Sequence, residues 1–184
     1  MPKFNMGFSE KLISAAQFVA NDDLDSVDAK RTVLYLSSLA SEITLKALLE
    51  KAGKSIKEIR SRGHCLSNLL DDLGKCEIQA QVTAGSLRWV PASRLRFVTV
   101  DKSFSDAMVG KLLTGEERGA SKYPNEVRYG EHVKGYNPEH MLAAARVVLD
   151  WAREHWNEIR LKIPNTPSPK RSQNLKKTKT AANP

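Results

Sequence analysis

Asp28 to Ala52 reads DAKRTVLYLSSLASEITLKALLEKA, and the fold class turns on this stretch. Val33, Leu36, Ala40, Ile43 and Ala47 recur at spacings of three and four, the stripe of a helix packed among other helices. Leu34, Leu45, Leu48 and Leu49 widen the apolar surface far beyond a narrow seam, so this helix is expected to be enclosed by neighbours at the centre of the core. Gly53 is its natural stop.

Working outward, Ser9 to about Ala20 is predicted as a first helix, with Ser9 as its N-cap and Leu12, Ala15, Ala16 and Val19 on one face. After a basic connector, KSIKEIRSRGH, a shorter helix carries Leu66, Leu69, Leu70 and Leu73, and Gly74 closes it. The last helix starts at Asn137 as N-cap, with Pro138 at the first helical position and Glu139 complementing the dipole. It runs to about Leu161 along Leu142, Ala145, Leu149, Ala152, Trp156 and Ile159. Between lie residues 75–136, whose pattern is mixed. SLRWVPASRLRF alternates in part and is broken by Pro91, reading as a short strand or a broken helix. Phe104 to Leu113 fits a further helix, and GEERGASKYPNEVRYGEHVKGYNP reads as a long loop. The expected fold is therefore all-α, an antiparallel bundle of four to five helices with an irregular or strand-like insertion near residues 86–102.

At 184 residues, one domain over 1–163 plus a tail is the natural division. Hydrophobic residues at 41% and charged residues at 27% are ordinary for a soluble globular chain. Of the net charge of +8, five positive charges (Lys170, Arg171, Lys176, Lys177, Lys179) fall with no acidic residue in 164–184, leaving +3 for the rest. That terminal segment has almost nothing to bury and is expected to be a disordered basic tail. A membrane span or secretory leader is not expected from the sequence, and a cytoplasmic location is. Cys65 and Cys76, about 16 Å apart if one helix holds both, fit two reduced thiols.

Three phrases carry a family resemblance: Leu45-Lys46-Ala47-Leu48-Leu49 in the long helix, Gly63-His64-Cys65-Leu66 opening the next, and Val127-Arg128-Tyr129-Gly130 before the last. With the order of helices over roughly residues 9–160, they resemble the HEPN superfamily, whose members often show LKALL, GHDL and RYP or RYG phrases in these places. Cys65 stands where those relatives have an acidic residue. The resemblance implies a helical bundle that commonly dimerises, and a family containing both RNA-cleaving enzymes and non-catalytic members that bind nucleotides or partner a nucleotidyltransferase. Cleaving members carry an Arg followed four to six residues later by a His on the last long helix. Arg146 and Arg153 stand at the wrong distances from His155, His140 has no suitable Arg upstream, and Arg128 and His132 lie in the loop. The expected function is thus a non-catalytic domain, a homodimer binding RNA, a nucleotide or a partner protein such as a nucleotidyltransferase. The alternatives are an RNase toxin or defence nuclease with a displaced site, and a helical scaffold without a ligand.

Six residues are candidates for ligand or nucleic-acid contact. His64 has the side chain suited to proton transfer near neutrality, or else it orients the start of its helix. Arg128 has the planar fork that grips phosphate and Tyr129 a ring that stacks on a base; alternatively Arg128 pins the loop and Tyr129 fills the end of the bundle. Arg88, Arg94 and Arg96 interleave with Trp89 and Phe97 as on single-stranded nucleic-acid surfaces, or they snorkel from an ordinary amphipathic segment. The histidines lack zinc spacing, and GxGxxG and P-loop patterns are absent, so neither metal nor cofactor is expected.

Overall fold

The computed structural model describes residues 3–83, 86–100, 107–130 and 132–162. The chain is mostly helical, with seven α-helices and a small antiparallel sheet among the described residues. Helix α1 (Met6–Asp22), α2 (Val27–Lys51) and α7 (Pro138–Glu154) pack on one another. Their shared interface holds Leu12, Ile13 and Ala16 of α1, Val33 and Ala40 of α2, and Leu142, Ala145 and Leu149 of α7.

Helix α2 is enclosed as expected, but on nearly every side. Leu34, Leu45, Leu48 and Leu49 are buried in the larger core, each burial contributing about 1.5–3 kcal/mol. Ser37, Ser41, Thr44, Glu42 and Lys46 are buried as well. Ser41 and Thr44 donate to the carbonyls of Ser37 and Ala40 one turn back, at 2.9 and 2.8 Å, which satisfies hydroxyls away from water. By length and mean hydropathy (1.3 over its most apolar window) α2 also meets the criteria of a membrane span, and 72% of that window is buried inside this chain.

Several boundaries differ from expectation. Asn5, not Ser9, caps α1, accepting from the Gly7 N–H at 2.8 Å, while Ser9 is buried inside the helix. The basic connector contains helix α3 (Ile56–Ser61), where Ser55 and Glu58 cap reciprocally. Helix α4 (Leu66–Leu73) follows as predicted. The expected long loop contains a 3-10 turn (Gly115–Arg118) and helix α6 (Asn125–Tyr129). Of the helix expected over 104–113, residues 104–106 lie outside the described residues, Met108 forms a bridge with Thr99, and helix α5 covers only Val109–Leu113. Asn137 caps α7 as expected, accepting from the N–H groups of Glu139 and His140.

The helical class holds, and the strand-like insertion expected near residues 86–102 belongs to a sheet larger than expected. Strands β1 (Cys76–Thr83), β2 (Ser86–Pro91) and β3 (Ile159–Leu161) are ordered β2-β1-β3, antiparallel throughout. Strand structure thus begins ten residues before the expected insertion, and Ala92–Phe97 within it is a 3-10 helix. Helix α7 ends at Glu154; Ile159 instead faces Ile78 across the ladder and is buried beside it. The Leu161 N–H bonds the Ala52 carbonyl at 3.0 Å, fastening the sheet to the end of α2. The basic segment 164–184 lies outside the described residues.

Candidate functional site

Two of the three phrases, through Lys46 and His64, meet at one carboxylate, which Tyr123 also contacts. Glu42 lies one turn before Lys46 on α2 and is only 3% exposed. Its Oε1 accepts from Lys46 Nζ at 2.6 Å, and its Oε2 from the Tyr123 hydroxyl at 2.8 Å and His64 Nδ1 at 3.0 Å. A carboxylate has lone pairs for all three donors, so the buried charge is compensated on every side. Over Lys46 lies the Phe4 ring, 5.8 Å from Nζ, and the N-terminal segment is held there by Glu50, which accepts from the N–H groups of Lys3 and Phe4.

His64 reaches Glu42 because of a turn. Gly63, at φ +58°, occupies the left-handed region that side-chain-bearing residues adopt at a cost of about 1–2 kcal/mol, and it reverses the chain between α3 and α4. Since Glu42 accepts, Nδ1 of His64 is the protonated nitrogen in this pair, and the ring is held in one tautomer. The imidazole side chain is 59% exposed. The arrangement combines a buried carboxylate, an oriented imidazole and solvent access, which allows proton exchange or hydrogen bonding to an anion.

Tyr123 extends the cluster. Burial first, and then the charge and hydrogen bond of Glu42, push its phenol well above the ordinary tyrosine value, keeping it a donor. Its ring meets His64 edge-on, with centroids 6.2 Å apart, and lies 5.9 Å from Tyr35. Arg128 of α6 then stacks its guanidinium 4.6 Å from the Tyr35 centroid and 5.5 Å from that of Tyr129, donating to both hydroxyls. Arg31 of α2 fixes α6 by donating to the carbonyls of Val127 and Arg128. Beside this stack a cleft of about 320 Å³ opens between α2 and α6, lined by Asp28, Arg31, Thr32, Tyr35, Leu36, Val127 and Arg128, with Asp28 paired to Arg31 at 3.5 Å. Tyr129 stands at 71% exposure next to it.

His64, Arg128 and Tyr129 therefore belong to one continuous set of contacts running along α2. Arg88, Arg94 and Arg96 do not join it. Arg96 pairs with Asp71 of α4, whereas Arg88 of β2 and Arg94 of the 3-10 helix are exposed. Sequence reasoning missed Glu42, Tyr35 and Tyr123. A signal was present for the first: a glutamate four residues before a lysine inside the most apolar helix is a pair that burial forces together.

A second buried carboxylate, Asp72 of α4, accepts from Lys54 Nζ at 2.6 Å, Arg62 Nε at 2.6 Å and Lys75 Nζ at 2.8 Å. Burial raises its pKa, but hydrogen bonds from Lys54, Lys75 and Arg62 outweigh that and hold the carboxyl well below the usual range. Nearby Cys76 has its thiol pushed up to about 11, chiefly by burial, which removes thiolate character. Among the described residues no three His, Cys, Asp or Glu side chains gather as a metal site.

On α7, Arg153 pairs with Glu10 at 2.8 Å and Arg146 bonds Gln17, both on α1. His155 packs edge-on against Trp151, with centroids 4.6 Å apart. No protein-family model, curated protein or solved structure matches the chain.

Proposed function

We propose that this chain is a HEPN-like helical bundle protein that binds a phosphate-bearing ligand, a nucleotide or RNA, at the α2–α6 cleft without cleaving it. The observation that carries the reading is Arg128, an exposed planar cation held between Tyr35 and Tyr129 beside that cleft. Its fork suits phosphate, and the tyrosine rings suit a base. Convergence of Lys46 and His64 on Glu42, with Arg128 joined to them through Tyr35 and Tyr123, supports the family reading. The arginines of α7 are engaged by α1, which favours the non-catalytic branch. A homodimer, and a nucleotidyltransferase as partner, belong to the same proposal.

Calorimetric titration with a mononucleotide and with short RNA at low salt tests it. Arg128→Ala is expected to weaken binding at least tenfold, about 1.4 kcal/mol, and Arg128→Lys to recover little because the stacked fork is lost. Unchanged affinity in Arg128→Ala, or no binding by the wild type, overturns the reading.

One observation favours an enzymatic alternative, an RNase toxin or defence nuclease. Glu42 orients the exposed imidazole of His64 as a carboxylate orients a general base. Cleavage of varied RNAs in metal-free buffer, lost in His64→Ala, would establish it in place of the binding reading.

A further inference from the structure

Arg31 borders two cavities. On one side lies the α2–α6 cleft. On the other, Lys30, Arg31 and Leu34 of α2 face His132, Val133 and Tyr136 across a smaller cavity of about 150 Å³, closed by the segment that leads into α7. Helical spacing sets this arrangement: Lys30 and Leu34 share one stripe of α2, Asp28, Thr32 and Tyr35 the next, and Arg31 falls between them. The Arg31 guanidinium donates to the Val127 and Arg128 carbonyls, so the partition is fastened to α6.

The far wall is fixed as well. The Ser121 N–H donates to the Lys134 carbonyl at 3.1 Å, and the Lys134 N–H donates to the Ser121 hydroxyl at 2.9 Å. The Tyr136 ring is seated against Gly115, where a Cβ would come within 2.7 Å of it. The cavity is therefore preformed. It has about half the roughly 300 Å³ at which cavities begin to take a drug-sized ligand, which suits one ring system rather than a complete nucleotide.

Its lining is two-sided. Leu34, Val133 and Tyr136 offer an apolar bed. The Lys30 ammonium meets the Asp25 main-chain carbonyl at 3.2 Å and no carboxylate among the described residues, so it keeps its charge. Among the described residues lining either cavity, Asp28 is the one carboxylate, against Lys30, Arg31 and Arg128. An aliphatic ligand would leave the cations unused, and a bare phosphate would leave the apolar bed unused. A base joined to a phosphate uses both.

Building on the cleft reading, we propose that the ligand there is an oligonucleotide of at least two nucleotides, whose second base enters this neighbouring cavity past Arg31. The linking phosphate passes Lys30 and Arg31. Tethering makes the second contact intramolecular, so even a weak one raises the affinity.

Calorimetric titration of the full chain compares AMP with pApA, the same nucleotide extended by a second. The dinucleotide is expected to bind at least tenfold more tightly. Val133→Trp fills the second cavity, and Lys30→Gln, at an exposed position, removes its cation. Each should bring pApA down toward AMP while AMP binding stays unchanged, with circular dichroism confirming the fold. Equal affinity of the two ligands overturns the proposal and leaves the cleft reading standing. A pApA advantage unchanged in folded Val133→Trp, or in Lys30→Gln should that variant not fold, does the same. Failure of both ligands to bind, or binding of both untouched by Arg128→Ala, overturns the cleft reading and this proposal with it.

Discussion

Glu42 and Asp72 are both drawn almost wholly out of water, and each collects three donors, yet the two centres are built for different work. Asp72 is surrounded by two lysines and an arginine, cations under all ordinary conditions, which bind the α2–α3 loop, α3, α4 and the start of β1 to one point. Glu42 has one lysine, one tyrosine hydroxyl and one imidazole, and the imidazole reaches solvent. A buried carboxylate saturated by permanent cations is a clamp. The same group bonded to an exposed ring keeps one edge of its cluster open to solvent.

The sharpest way to break this contrast is Asp72→Asn. Removing one partner of a buried ion cluster costs about 3–5 kcal/mol, because the nearly buried Lys54 is left without its counter-charge. Equilibrium denaturation at neutral pH should show that loss, with nucleotide binding by the folded fraction intact. The pH dependence has a definite sign. Since the native pKa is depressed, the contribution is complete above the ordinary carboxylate range near 3.8 and is lost as pH falls below it through the native value. The gap between wild type and Asp72→Asn should therefore narrow on acidification; a constant gap would refute the clamp.

Glu42→Gln is expected to cost less, about 1–3 kcal/mol, since one lysine loses its charge partner rather than the two lysines and an arginine around Asp72. Here stability and function should move together, with ligand affinity falling as the His64 ring loses its fixed tautomer. Altered stability with unaltered binding would place Glu42 in the same class as Asp72.

His64→Ala should have the smallest effect on stability, about 0.5–1.5 kcal/mol for one hydrogen bond at a half-exposed ring. A loss of binding larger than this change marks His64 as part of the ligand surface. Thermal melts beside calorimetry separate the two, and loss of stability alone would make the imidazole a helix-orienting group.

Legibility varied with the kind of signal. The α2 stripe, the Leu66–Leu73 helix and the Asn137 cap could be read directly, because periodicity and capping are local. Cys76, Ile78 and Ala80 alternate with Glu77, Gln79 and Gln81, so β1 was readable in principle, but an eight-residue alternation beside strong helices is easily passed over. Trp156 and Ile159 continued the helical spacing of α7, and only pairing with β1 diverts Ile159 into a strand. His64 and Arg128 stood out by residue type. Tyr35 and Tyr123 did not, since a tyrosine in a helix or loop carries no mark of what it will touch.

From the sequence alone come the mostly helical class, the central place of α2 and the short helix after Gly63. Those features depend on neighbours within a few residues, where side-chain spacing and backbone caps act. Tertiary structure decided that Lys46, His64 and Tyr123 share Glu42, that Arg128 lies between two tyrosines, and that three segments close into a sheet. The bonds of Glu42 to His64 and Tyr123 and of Arg128 to Tyr35 join residues 22 to 93 positions apart, and burial, which makes an unpaired charge or backbone group costly, selects them from the many pairings the chain permits.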